Sequence, residues 1–238
     1  MSATPTQFAP EAVAYHGSLA EGWEHRYRKS SFQMRQAVLE NCLQGRNLAG
    51  TLWLDAGCGT GTLARWLAAR GCSVLGVDAA PEMVAAANQS LRSDSHSDRL
   101  SFVHIKTISR LALDDGSLDG ILCSSVLEYL PDPSACLTEL ARVLKPRGLL
   151  LVSVPNRNSI ARQLQLACHH LGSRFGQSWC KFLDYSRNQY SKVEFDRLLK
   201  QCGFSGEKLV PFGGPLPGLA QRSCHWAPLL MFVARKLA

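Results

Sequence analysis

Residues 52–63 read LWLDAGCGTGTL, and the fold of the surrounding chain follows from how this stretch is read. An apolar run ends at Asp55 and meets glycines at alternate positions, Gly57, Gly59 and Gly61, before Leu63, Ala64 and Leu67 take up helical spacing. The pattern predicts a strand, a tight loop and a helix. Glycine has no Cβ, so the loop backbone can take positive φ and lie against a bound molecule, while unpaired N–H groups at the helix start favour a negative group. A nucleotide-like cofactor suits such a loop. The dinucleotide fingerprint G-x-G-x-x-G needs its third glycine where this chain has Thr62, which counts against NAD and against a dehydrogenase.

The spacing Asp55-x-Gly57-x-Gly59-x-Gly61 resembles motif I of the class I S-adenosylmethionine (SAM) dependent methyltransferases, whose loop wraps the methionine part of the cofactor. The next predicted strand, Ser73 to Val77, ends at Asp78, where a carboxylate can accept both ribose hydroxyls. Asp78 lies in VLGVDAAPEMV, which is similar to motif II of that family. The resemblance implies an α/β fold: a Rossmann-like seven-stranded, mainly parallel sheet with helices on both faces, an N-terminal helical cap and a helical lid insertion. It also implies S-adenosyl-L-methionine as cofactor, with contacts at Arg35, Asp55, Gly57, Cys58, Gly59, Gly61, Asp78, Ala79, Met83, Thr107, Ile108 and Ser124. A glycine-rich loop by itself is ordinarily a turn between strand and helix; the two acids at matching distances argue for more.

A length of 238 residues suits one domain, divided as a tail and cap over 1–45 and a core over 46–238 with its lid at about 157–190. Further strands are expected at Leu100 to Ile105, Leu118 to Ser124, KPRGLLLVSVPN, Phe204 to Val210 and Leu229 to Lys236. Pro81 starts a helix with Met83, Val84, Ala87 and Leu91 at helical spacing, and Asp132 to Leu144 forms another. Ser191 and Glu194 form a capping box for a helix that reaches Gln201 and stops before Gly203. Met1 to Pro10 reads as disordered and Tyr15 to Leu43 as helical, with Phe32 on a buried side and Tyr15, Trp23 and Tyr27 placed to close over the cofactor. No signal peptide is visible and Ala227 to Ala234 is too short to span a bilayer, so a cytoplasmic protein is expected. Nine cysteines form no C-x-x-C pair and read as reduced thiols. Cys168, His169 and His170 point in different directions on a helix and do not converge on a metal.

The resemblance runs strongly from Leu52 to Asn156 and is to the methyltransferase domain of the ubiquinone and menaquinone pathway type. Arg35, in SSFQMRQAVLENCL, resembles the arginine with which ubiquinone-pathway O-methyltransferases meet the cofactor carboxylate. Many members carry an acid beyond the third strand for the adenine amino group; this chain has Lys106-Thr107-Ile108, leaving Thr107 or backbone groups for that contact. Where those O-methyltransferases read E-V-L-E-H, with side chains associated with a divalent metal, this chain reads Ser125-Val126-Leu127-Glu128-Tyr129. Two of the three side chains are lost, so no metal is expected. Glu128 is placed near the nucleophile, and Glu128, His169 and Tyr185 are the leading catalytic candidates, with His170 and His225 behind them.

Charge is concentrated in the last third, where residues 157–238 hold 12 basic and 4 acidic side chains. Such a field draws an acidic substrate, an anionic membrane surface or nucleic acid, and the chain has no appended RNA-binding module to favour the last. Ile160, Leu164, Cys168, Leu171 and Phe175 form an apolar helical stripe with Arg162, His169, His170 and Arg174 around it. The stripe is expected to pack on its own domain, though a basic amphipathic helix also suits peripheral contact with a membrane. The expected activity is methyl transfer to a small-molecule or lipid-linked acceptor. Oxygen is implied by the resemblance, and an anionic group by Arg162, Arg174, Lys181 and Arg187 of the lid. An RNA or protein methyltransferase and a non-catalytic SAM-binding protein are the alternatives, and the oligomeric state is left open.

Overall fold

The strand that opens the glycine-rich stretch, β1 (Leu52–Ala56), is an inner strand of a seven-stranded sheet. The computed structural model describes residues 8–23, 30–174, 180–214 and 223–238. β1 pairs in parallel with β2 (Ser73–Asp78) and β4 (Leu118–Ser124); β3 (Leu100–His104) lies outside β2 and β5 (Leu144–Pro155) outside β4. Beyond β5, β7 (Leu229–Lys236) runs antiparallel between β5 and β6 (Phe204–Phe212). The order β3-β2-β1-β4-β5-β7-β6 reverses between β1 and β4, which opens a crevice at the carboxyl ends of those strands.

The α-helices with bounds among the described residues are, in chain order, α1 (Pro10–Gly17), α2 (Ser30–Leu43), α3 (Thr62–Ala68), α4 (Pro81–Ser90), α5 (Pro133–Val143), α6 (Ile160–Arg174) and α7 (Lys192–Gln201). Alternation along each strand divides the apolar residues between two cores. Leu54, Ile121, Leu150 and Phe232 meet Leu137 and Leu140 of α5 and Phe195 and Leu199 of α7. Trp53, Leu122, Leu151 and Val233 meet Val38 of α2, Leu63 and Leu67 of α3 and Val84 of α4. Helix starts follow local chemistry: Pro81 supplies a preset φ in the first turn of α4, and the Ser191–Glu194 capping box is formed at α7.

Three expectations are corrected at their edges. The single helix expected from Tyr15 to Leu43 is interrupted: α1 ends at Gly17, the chain turns, and Gly22 takes a φ of 79°, before α2 begins at Ser30 among the described residues; Tyr27 lies outside the described residues. Order begins before Pro10: Phe8 packs against the first core and Pro10 opens α1. β6 runs on to Phe212 because its pairing with β7 continues to Leu229.

A larger correction concerns the lid helix α6. Its apolar stripe does not pack on the domain: Ile160 is 44% exposed, Leu164 58% and Leu171 60%, while Arg162 and His169 are buried at 3% and 6%. Phe175 and the side chain of Arg174 lie outside the described residues. The inward side of the helix meets ionic partners, Asp184 for His169 and the neighbourhood of Glu128 for Arg162. Helical spacing defines two sides of a helix but not which of them faces the protein.

Packing is tight where β4 pairs with β1. A Cβ built on Gly120 would lie 2.4 Å from the Trp53 indole, so Gly120→Ala is expected to cost about 1–3 kcal/mol of stability. Urea unfolding should show a lower midpoint at an unchanged slope, and an unchanged midpoint would mean the indole moves aside freely.

Candidate active site

The loop after β1 is tied to the end of β2 by backbone and carboxylate together. Gly57 N and Cys58 N donate to Val77 O at 2.8 and 3.0 Å. Gly59 N donates to Asp78 Oδ2 at 2.8 Å and Ala80 N to Oδ1 at 2.9 Å, so each Asp78 oxygen is braced and keeps lone pairs for a ribose hydroxyl. Gly57, Gly59 and Gly61 all have left-handed φ, at 76°, 54° and 79°. They are glycine for different reasons. A Cβ on Gly57 or Gly61 would collide with Val126 or Phe102, whereas beside Gly59 the nearest atoms are Trp23 Nε1 at 3.5 Å and Met83 Sδ at 3.9 Å. Gly59 is therefore where a ligand can lie on bare backbone, with Trp23 of the cap over it.

The acids of this cradle are held out of water. Asp55 is buried, its Oδ2 has no partner, and burial with the nearby Asp78 charge pushes its carboxyl up to about 7. Burial also raises Asp78, against the two N–H groups that brace it, and pushes the buried Cys58 thiol up. Met83 and Ile108 are buried, Ala79 O meets His104 Nε2 at 3.2 Å, and Thr107 Oγ1 is 2.8 Å from Ser109 Oγ. Bare glycine backbone, a braced ribose-type acid and an orphaned carboxylate oxygen fit SAM, whose sulfonium and ammonium are cations.

At the end of β4, Arg35 Nη1 donates to Ser124 Oγ at 2.8 Å. Ser125 takes a left-handed φ of 59° and its N–H donates to Ser153 Oγ at 3.0 Å; for a non-glycine residue that conformation stores about 1–3 kcal/mol of strain. The chain then enters a short 3-10 turn, Leu127–Tyr129. Glu128 is buried there with Oε2 unpartnered, and burial pushes its carboxyl up to about 7, opposed by Arg35 and Arg162. The lid clamps this turn: Arg187 N and Asn188 N donate to Glu128 O at 2.7 and 3.2 Å, and Asn188 Nδ2 donates to Leu127 O and Leu130 O. Burial, then Glu128, pushes the Tyr129 hydroxyl up. α1 closes the other side, His16 packing edge-on against Tyr129 at 4.7 Å and Tyr15 stacking on Tyr185 at 4.9 Å.

Arg35, Asp55, the three glycines, Cys58, Asp78, Ala79, Met83, Ser124 and Glu128 thus gather around the carboxyl ends of β1, β2 and β4, and Tyr185 joins the lid to the cap. His169 does not join them; its Nε2 is 2.7 Å from Asp184 Oδ1 inside the lid. His170 and His225 are exposed. Sequence reasoning missed His16, Ser153 and Asn188, and read Arg162 only as one of the lid's basic side chains around the apolar stripe. Ser153 carried a signal, a hydroxyl in an otherwise apolar run that becomes an inner strand; the others carried none. An open depression of about 670 Å3 near Glu40, Arg46, Trp66 and Arg70 lies at the amino ends of the strands, away from this site.

A mainly parallel sheet whose order reverses between β1 and β4, with a glycine-rich acid-flanked cradle at the reversal, defines a Rossmann-like nucleotide-cofactor protein of the class I methyltransferase type. Residues 54–152 match the family model described as a methyltransferase domain. This segment is a methyltransferase domain of the class I, SAM-dependent kind. The ubiquinone biosynthesis O-methyltransferase of Psychrobacter arcticus is 30% identical over 168 residues, covering 68% of this chain and 62% of that protein. Its namesake in Xanthomonas oryzae pv. oryzae is 36% identical over 138 residues, 52% of this chain and 56% of that protein. The chain therefore spans about three fifths of the length of the curated relatives it matches. In fold it is similar to the magnesium protoporphyrin IX methyltransferase of Synechocystis with bound SAH, at a TM-score of 0.72 and 19% identity over 95% of this chain and 98% of that one.

Two expectations follow for the cradle. Asp78→Ala removes the brace on Gly59, and Gly59→Val puts a branched side chain at positive φ on the bare backbone. Each should weaken SAM binding at least about tenfold, roughly 1.4 kcal/mol, in folded protein. Calorimetry that finds unchanged affinity in both variants would remove the cradle assignment.

The second concerns pH. Asp55 is raised from 3.8 to about 7, so its ionisation costs the fold as pH climbs from about 4 to above 7, and a bound cation offsets that cost. SAM carries one more positive charge than S-adenosylhomocysteine (SAH), and their amino groups titrate alike. The preference for SAM over SAH should rise at least about threefold from pH 6 to pH 8; a constant ratio would show that Asp55 does not sense the sulfonium.

Proposed function

We propose that the protein transfers a methyl group from SAM to a hydroxyl of a small-molecule or lipid-linked acceptor that carries an anionic group. The observation that carries this reading is Glu128: a buried carboxylate with an unpartnered oxygen, beside the cofactor cradle and under the lid, with a pKa near 7 that suits a proton acceptor at physiological pH. When bound, SAM supplies an electrophilic methyl group on a positively charged sulfur. The chain's own task is to orient the acceptor, exclude water and receive its proton. Orientation of this kind can supply about 7–11 kcal/mol. Oxygen as the accepting atom is supported by the names of the curated relatives, both O-methyltransferases.

A divalent metal of the kind associated with the E-V-L-E-H segment does not fit this donor set. Ser125, Glu128 and Tyr129 offer one carboxylate, and among the described residues no three His, Cys, Asp or Glu side chains gather into a metal-holding group. The lipid-linked, anionic form of the acceptor is supported by the outward apolar side of α6, with Lys181 and Arg187 exposed nearby in the chain. Among the described residues no helix is long and apolar enough to cross a membrane.

The test is a methylation assay with 3,4-dihydroxybenzoate, catechol and 4-aminobenzoate as probe acceptors, run with and without EDTA. The methyl group should appear on oxygen and the rate should survive chelation. Salt should raise KM for the benzoate and not for catechol. Glu128→Gln should lower kcat about a hundredfold with SAM affinity unchanged. Loss of activity with EDTA, restored by magnesium, overturns the metal-free reading. Transfer to bulk RNA or protein but to none of the probes favours the macromolecular alternative, and SAM binding without any transfer favours a silent binding protein.

A further inference from the structure

Where the lid meets the turn after β4, two buried side chains of opposite charge are each left with an unsatisfied atom. Glu128 Oε2 and Arg162 Nε are both shut from solvent and both lack a hydrogen-bond partner. Arg162 reaches in from α6 and is 3% exposed. Its Nη2 donates to Ser186 Oγ at 3.0 Å, and its guanidinium carbon lies 5.7 Å from the centre of the Phe182 ring. Ser186 immediately precedes Arg187 and Asn188, whose N–H groups hold the carbonyl of Glu128. The guanidinium is thus anchored one residue from the clamp on the turn that carries the carboxylate. Each charge acts on the other, Arg162 lowering the Glu128 carboxyl against its burial and Glu128 sustaining the charge on Arg162 against its own.

Burying a guanidinium and a carboxylate costs several kcal/mol per ion unless geometry and hydrogen bonds compensate, and buried polar atoms in native proteins are seldom left unpartnered. Neither orphaned atom here is satisfied by the other. One is a donor and one an acceptor, and the small group that satisfies both at once is a hydroxyl, which accepts through oxygen and donates through hydrogen. The arrangement also discriminates. A neutral amine that accepted from Arg162 would use its only lone pair and have none for the methyl carbon, whereas an alcohol or phenol oxygen has two.

We propose that Arg162 is a catalytic residue that selects and holds the acceptor hydroxyl, its Nε–H donating to the acceptor oxygen while the hydroxyl proton passes to Glu128. This rests on the oxygen-directed reading above and names the group that enforces it. The acceptor's O–H bond breaks and its proton goes to Glu128. The free oxygen pair forms the O–C bond as the methyl–sulfur bond breaks with its electron pair left on sulfur, and Glu128 later releases the proton to water. Arg162 is charged throughout and stabilises the oxygen as it becomes anionic. Because it sits on the lid, the site is complete only when α6 is docked.

The experiment uses 4-nitrocatechol, whose phenolate is coloured, bound to the full chain with SAH so that no transfer occurs. In the wild type the apparent pKa of the bound probe should fall by about one unit relative to free probe. Arg162→Gln should abolish that shift and, with SAM, lower kcat about a hundredfold, while SAH affinity and KM change little. Arg162→Lys should recover part of both effects. Ser186→Ala keeps the charge but removes its anchor and should lower kcat by about tenfold, which preserves a readout should Arg162→Gln fail to fold. An unshifted spectrum in the wild type, or normal spectra and kcat in the folded variants, overturns the role of Arg162 and leaves the oxygen reading standing. An equal loss of SAH affinity in Arg162→Gln also overturns it, since the effect would then lie in the cradle. If the wild type methylates 4-aminobenzoate and neither 4-nitrocatechol nor 3,4-dihydroxybenzoate, the oxygen reading fails and the assignment falls with it.

Discussion

The carboxylate of Asp78 holds the site together. Its two oxygens accept from the N–H groups of Gly59 and Ala80, so one half-buried acid joins the loop after β1 to the loop after β2. That bond requires the two strands to run parallel and end together, and it requires glycine at the positive φ of position 59 so that the amide can turn inward. It also brings Asp78 close enough to Asp55 for its charge to add to burial in raising the Asp55 carboxyl, while burial alone raises Asp78. The cradle is consequently poorly hydrated, a surrounding in which a cationic cofactor, more than its neutral product, offsets the cost of ionising Asp55. Strand order, loop composition and electrostatics are therefore one constraint seen at three scales.

A second constraint is the docking of the lid. α6 turns its polar side inward because that side finds partners, Ser186 and the field of Glu128 for Arg162, Asp184 for His169. The apolar side is left outward. The basic excess of the last third therefore divides in two: Arg162 belongs to the interior of the site, while Lys181 and Arg187 stand on the surface. The strained Ser125, held by the Ser153 hydroxyl, brings the turn bearing Glu128 under that lid, and the cap helix seals it through His16 and Tyr15. The cap's share of this closure joins segments more than a hundred residues apart.

Much of the cofactor half was legible in the chain because its determinants are local. Asp55, the alternating glycines and Asp78 lie within one strand–loop–helix–strand unit, where spacing and the chemistry of each residue fix what the backbone can do, and the alternating strands and helices that follow specify the sheet. The replacement of potential ligands by Ser125 and Tyr129 was equally readable, since loss of a donor atom needs no coordinates. The acceptor half was not legible in this way. Whether a helical stripe faces in or out depends on what stands opposite, and the 3.6-residue period of α6 is the same for both orientations. His16 against Tyr129, Ser153 beneath Ser125 and Arg162 beside Glu128 are pairings set by how separate elements dock and by the burial that results. The tertiary structure alone decided them, because burial is what turns an arginine and a helix-start glutamate, ordinary in sequence, into a donor and an acceptor each left with one unpartnered atom.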